Sequence, residues 1–166
     1  MPWAPTKPAR PHPRRPTSPA VLPVLVLVVA YEYSHSHRVR YRECDPMGVV
    51  YHTHYLDYFE AGRTEALRNL GVSYRSLEDQ GLIMPVVNVN VQYRGPAYYD
   101  DVLDITVRFD EMPSVRVPID YSVRRRGEET LLTSGHTTLC FMDAERRRPT
   151  QAPEAVRTVF ADALSS

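Results

Sequence analysis

Between Tyr41 and Tyr55 the chain reads Tyr-Arg-Glu-Cys-Asp-Pro-Met-Gly-Val-Val-Tyr-His-Thr-His-Tyr, and here residue types and spacing could do chemistry. Asp45 offers a carboxylate able to act as nucleophile or as general base. His52, seven residues on, offers an imidazole. If a helix begins beside it, the local backbone N–H groups lack helical acceptors and sit at the positive end of the helix dipole. Such groups suit a carbonyl being polarised or an oxyanion being formed. An isolated Asp-Pro pair also starts ordinary turns, so spacing alone leaves both readings of Asp45 open. His52 and His54 are two residues apart, which on a helix points them to different sides and argues against a shared metal ion. Cys44 lacks a helix-start position or a base partner and reads as a packing residue.

The elements that must hold this stretch follow from periodicity. Tyr31 to Arg42 reads as a first strand, ended by a loop in which Pro46 and Gly48 are turn residues. From His54 the positions Tyr55, Leu56, Phe59, Gly62, Ala66, Leu67 and Leu70 recur at steps of three and four. That spacing predicts one long amphipathic helix, closed by Gly71. Tyr74 to Gln80 forms a less regular segment. Alternation then predicts half-buried strands carrying Val87, Val89, Val91 and Tyr93, next Leu103 to Phe109, and next Val115 to Val123. Arg126-Gly-Glu128 makes a hairpin into a strand over Leu131–Met142, and Pro153 opens a short helix through Phe160. Links this short cannot carry crossover helices, which excludes a doubly wound parallel sheet. What remains is an α+β fold, an antiparallel sheet wrapped around one long helix.

The chain has 166 residues, enough for one domain with a core. Its 20 basic and 20 acidic groups balance, so no global field favours nucleic acid. Two cysteines cannot build a disulfide framework and fit a reducing, cytoplasmic setting. Residues 2–23 hold 8 of the 15 prolines, and residues 1–30 are expected to be an extended or disordered appendage to a domain at residues 31–166. The apolar run Ala20–Ala30 is 11 residues long, too short for a transmembrane helix, so no stable membrane insertion is expected. With the basic residues before it the run imitates a secretory signal, though Pro23 interrupts it; a start placed too far upstream explains it equally. No Gly-rich phosphate loop, Gly-x-Ser-x-Gly elbow, His-Glu-x-x-His or Cys-x-x-Cys occurs. No cofactor and no metal are expected.

Cys44-Asp-Pro-x-Gly-Val-Val-Tyr-His-x-x-Tyr55, followed by Phe59-Glu-x-x-Arg-Thr-Glu65, resembles the hotdog-fold acyl-CoA thioesterases of the 4-hydroxybenzoyl-CoA thioesterase and YbgC type. Met84-Pro-Val-Val and Pro96-Ala-x-Tyr-Asp-Asp-Val-Leu103 extend the resemblance over residues 36–150. It implies a hotdog fold, an acyl-CoA substrate, and a homodimer or homotetramer with active sites at the subunit interface. It implies Asp45 and His52 as catalytic residues, with a backbone donor in the Tyr51–His52 region. Gly48, Val50, Tyr51, Tyr55 and Phe59 fall around the acyl group, together with a partner strand near residues 86–91. Arg147 and Arg148 fall near a phosphate contact of coenzyme A, whereas Arg124-Arg-Arg126 reads as a solvated turn. The benzoyl-specific branch has a basic cluster where this chain has Pro113-Ser-Val115 and only Arg116. Large pocket residues imply short- to medium-chain or aromatic acyl groups. Two other functions share the fold: an acyl hydratase or dehydratase, which needs a differently spaced His and carboxylate, and a non-catalytic acyl-CoA-binding protein.

Overall fold

The computed structural model describes residues 30–165. The appendage expected over residues 1–30 therefore lies, apart from Ala30, outside the described residues. Strand β1 (Tyr31–Arg38) leads through a 3-10 turn (Tyr41–Glu43) and a loop into helix α1 (His54–Asn69). A short α2 (Tyr74–Glu78) precedes β2 (Leu82–Ile83), β3 (Val86–Tyr93), β4 (Val102–Phe109) and β5 (Arg116–Arg125). The chain ends with β6 (Leu131–Cys140), β7 (Met142–Asp143), β8 (Arg148–Pro149) and α3 (Glu154–Ala163). Antiparallel pairing builds a five-stranded sheet in the order β1-β4-β5-β6-β3, and β2-β7-β8 form a separate three-stranded sheet. This is the α+β arrangement expected, with α1 lying over β1 and β4. Among the described residues no helix is long and apolar enough to cross a membrane.

Alternation and burial agree strand by strand in the middle of the sheet. Leu103, Ile105, Val107 and Phe109 of β4 and Val117, Ile119, Tyr121 and Val123 of β5 are all buried, while the residues between them are more exposed. The helix meets this face through Tyr55, Tyr58, Phe59, Ala66 and Leu67. Phe59 stacks on Tyr121 at 4.3 Å, its ring seated over Gly135 of β6. A Cβ at position 135 would stand 2.2 Å from that ring, so the absent side chain sets how closely the helix approaches the sheet.

Three expectations change. The first strand stops at Arg38 instead of Arg42, because the Arg40 amide donates to the Glu43 carboxylate at 2.8 Å and turns the chain out of the sheet. Leu131–Met142 is two strands, interrupted where buried Phe141 enters the core and β7 leaves for the small sheet. Most importantly, β3 is not half-buried. It is an edge strand that α1 meets at its end, where Tyr55 packs on Tyr93, and Val86, Val87 and Val89 keep 40%, 50% and 43% of their surface exposed.

Gly135→Ala is expected to destabilise the fold by roughly 1–3 kcal/mol, as an overpacked core contact. Combining it with Phe59→Leu should recover part of the loss, both read from urea unfolding midpoints.

Candidate active site

Residues Glu43 to Tyr51 form a small antiparallel hairpin. The Tyr51 amide donates to the Glu43 carbonyl at 2.9 Å, Cys44 pairs with Val50, and the Asp45 amide donates to the Val49 carbonyl at 2.9 Å. The tip closes by a bond from the Gly48 amide to the Asp45 carbonyl at 2.9 Å, with Gly48 at φ +78°, a conformation that favours glycine. The Asp45 carboxylate accepts the Met47 amide through Oδ1 at 2.8 Å, and among the described residues Oδ2 has no hydrogen-bond partner. The outer limb of the hairpin is sewn to the segment after β3: the Val50 amide donates to the Ala97 carbonyl at 2.9 Å and Val49 pairs with Tyr98. Arg125 braces that segment through an ion pair with Asp101 at 2.9 Å, and Asp101 in turn accepts the Tyr98 amide at 2.8 Å. Within the run Arg124–Arg126, expected to be a solvated turn, Arg125 is therefore a strut behind the site.

At the head of α1 the Tyr51 amide is consumed by Glu43, whereas the His52 amide finds no acceptor among the described residues. The Tyr51–His52 region thus narrows to His52 as the available donor. The His52 carbonyl accepts the Tyr93 hydroxyl at 2.9 Å, and the Tyr93 ring meets the Tyr55 ring edge to face at 5.5 Å. Burial raises the pKa of both phenols, which keeps them neutral walls. These groups enclose a cleft of about 290 Å³ that brings together Asp45, His52 and Tyr55, with Val50, Tyr93 and Arg94 among its other walls.

Of the residues expected at the site, Asp45, His52, Val50 and Tyr55 line this cleft, and Gly48 shapes its turn. Tyr51 lies outside it, its ring against that of His52 at 4.3 Å. Phe59 is a correction: it is fully buried on Tyr121, because the Gly135 notch draws its ring into the sheet. Arg147 and Arg148 are likewise not part of the cleft; they sit exposed at the β7–β8 turn, where the Arg147 amide bonds to the Asp143 carbonyl. The cation on the cleft wall is Arg94, which no motif in the sequence singled out. Burial, with Glu43 and Asp45 nearby, pushes the Cys44 thiol pKa up, as suits packing and not nucleophilic work.

A second cavity, of about 580 Å³, opens on the other side of the hairpin between β1 and α1. His54 belongs to this one, paired with Asp57 at 3.0 Å, so His52 and His54 face different spaces. Its floor is a buried cluster that the sequence did not announce. Glu43 accepts from the His37 ring at 2.9 Å and the Tyr58 hydroxyl at 2.9 Å as well as the Arg40 amide. Burial alone would raise the Glu43 pKa, but the three donors outweigh it and hold the carboxyl below the ordinary range. Burial and the neighbouring carboxylate push the Tyr58 hydroxyl up, so it stays a donor.

Residues 39–160 match the model of a thioesterase-like superfamily. The acyl-CoA thioesterase YbgC of Haemophilus influenzae is 32% identical over 125 residues, covering 74% of this chain and 90% of that protein. A solved hypothetical protein of Thermus thermophilus superposes with a TM-score of 0.72 at 32% identity, over 80% of this chain and 97% of that one. The DHNA-CoA thioesterase of Staphylococcus aureus gives a TM-score of 0.68 at 30% identity, over 72% and 80% of the respective chains.

The Glu43 cluster has a definite pH signature. With the folded-state pKa depressed, its stabilisation is complete above the ordinary value of 4.5 and is lost as pH falls through the lower folded value. The melting-temperature gap between the wild type and Glu43→Gln should therefore be constant near neutrality and close as the solution is acidified below that value.

Proposed function

The chain belongs to the thioesterase-like superfamily, and from that membership we infer an acyl-CoA thioester hydrolase of hotdog fold that works at the Asp45 cleft. The observation that carries the site is the pairing of a carboxylate oxygen and a backbone amide, Asp45 Oδ2 and His52 N–H, both without internal partners on residues of one cleft. The thioester carbonyl accepts the His52 amide, which stabilises the negative charge that builds on oxygen. Asp45 then attacks the carbonyl carbon to give a mixed anhydride that water cleaves, or takes a proton from a water that attacks directly. Either way the carbon–sulfur bond breaks, and the free acid and the thiol of CoA leave. The His52 ring stands on the same wall, able to hand a proton to sulfur. Walls of Tyr55 and Tyr93 around a cleft near the small end of ligand-binding cavities favour short- to medium-chain or aromatic acyl groups. Arg94 is the cation at hand for the CoA portion, and both cysteines are free, as suits the cytoplasm.

The active species is proposed to be a homodimer or a homotetramer built from it. An edge strand that exposes Val86, Val87 and Val89 beside unpaired backbone groups is a ready template for pairing and fits the same strand of a second copy. Because Tyr93 and Arg94 continue β3 into the cleft, that partner would also complete the acyl pocket.

Asp45→Asn should keep the fold and lower hydrolysis of acyl-CoA by about 100-fold or more, measured as release of free thiol. Near-normal turnover would overturn the assignment. Val89→Arg should shift sedimentation to the monomer and abolish turnover, and an active monomer would refute the assembly.

A further inference from the structure

The geometry points to Glu43 as a positioning residue for hydrolysis, acting from the far side of the hairpin without meeting substrate; the inference rests on the Asp45 cleft being the site. Glu43 is only 6% exposed, and one oxygen, Oε2, accepts all three of its hydrogen bonds. The donors come from three elements: His37 on β1, the Arg40 amide in the turn, and Tyr58 on α1. With Nε2 of His37 carrying the proton, as an ionised Glu43 requires, the residue is tied to strand, turn and helix at once. What it presents to the site is its own carbonyl, the acceptor of the Tyr51 amide.

That bond has two consequences. It removes the Tyr51 amide from competition, so the donor offered there is the next amide, that of His52, which has no acceptor among the described residues. It also sets the open end of the hairpin whose tip carries Asp45, so carboxylate and amide donor are placed by one anchor. Glu43 cannot serve as a second acid or base for the thioester, because it lines the His54 cavity and not the Asp45 cleft. A displaced anchor need shift the reacting groups by only about 1 Å to cost up to 100-fold in rate.

Replacements separate reach from charge. Glu43→Gln keeps the reach and an acceptor oxygen but drops the charge; Glu43→Asp keeps the charge but is one methylene short of its three donors; Glu43→Ala loses both. Steady-state hydrolysis of benzoyl-CoA by the full chain is to be paired with deuterium uptake over residues 44–53. Glu43→Asp and Glu43→Ala should lose roughly tenfold or more in kcat with KM within about threefold, while Glu43→Gln stays within about threefold of wild type. Uptake over residues 44–53 should quicken in the first two variants and stay unchanged in β4 and β5. The inference is overturned if Gln loses as much as Asp, if all three variants turn over normally, or if β4 and β5 exchange faster alongside the hairpin. If the wild type hydrolyses no acyl-CoA, the site reading fails by itself, and the exchange data still decide whether Glu43 orders the hairpin.

Discussion

The Tyr51 amide and the Glu43 carbonyl meet at 2.9 Å, and most of the site follows from that contact. It fixes the hairpin register, and because side chains alternate along a strand, a slip of one residue would turn Asp45 away from the cleft. It also ends the hairpin immediately before α1, so the helix starts from a fixed point. Tyr58, one turn into that helix, returns a hydrogen bond to the Glu43 side chain and closes the loop of constraints. The tip of the hairpin therefore does not need burial for rigidity, although Glu43 and Val50 on its limbs are buried. Its backbone groups are satisfied by the Ala97 carbonyl on one limb and by internal pairs across the other, which is how an exposed segment such as Met47 and Gly48 can carry an ordered carboxylate.

The sheet imposes a second constraint at the opposite end of its strand order. α1 lies over β1 and β4, and Phe59 carries its cover as far as Gly135 on β6, which leaves Val86, Val87 and Val89 of β3 exposed. The strand that most needs a partner is also the strand whose last residue, Tyr93, bonds the His52 carbonyl and walls the cleft. Under the assembly proposed above, association and catalysis would draw on the same strand, so weakening one would weaken the other.

The sequence carried the long helix, the three alternating strands and the Asp45–His52 spacing, because period and turn chemistry are local properties. It misjudged β3, since alternation says that two faces differ but not whether anything covers the apolar one. Phe59 was misplaced for a related reason: helical spacing puts it on the same stripe as Tyr55, and only the Gly135 notch on a strand 76 residues away decides that its ring enters the sheet. Glu43 gave no signal, because an acid between Arg42 and Cys44 reads as a solvated charge until His37 and Tyr58 are folded against it. The arginines misled through abundance. With Lys7 the only lysine, every structural and functional cation must be arginine, and composition cannot tell the Arg125 strut from the Arg94 wall.

The head of α1 shows stability and chemistry competing for the same atoms. Thr53 occupies the cap position, where a side-chain bond to the helix amides ordinarily contributes about 1 kcal/mol, yet its side chain makes no such bond. A capped terminus would present satisfied N–H groups, and a carbonyl approaching the cleft would find fewer donors. Asp57 in the first turn supplies a negative charge near the dipole in place of the cap, but its carboxylate is engaged with His54 on the far side, away from Asp45. The helix end thus stays free of a side-chain cap where Tyr55 of its first turn lines the cleft, and takes its support from Glu43 and Tyr58 behind. A terminus left uncapped toward one cavity and braced from the other is the arrangement expected where backbone amides serve a ligand instead of the fold.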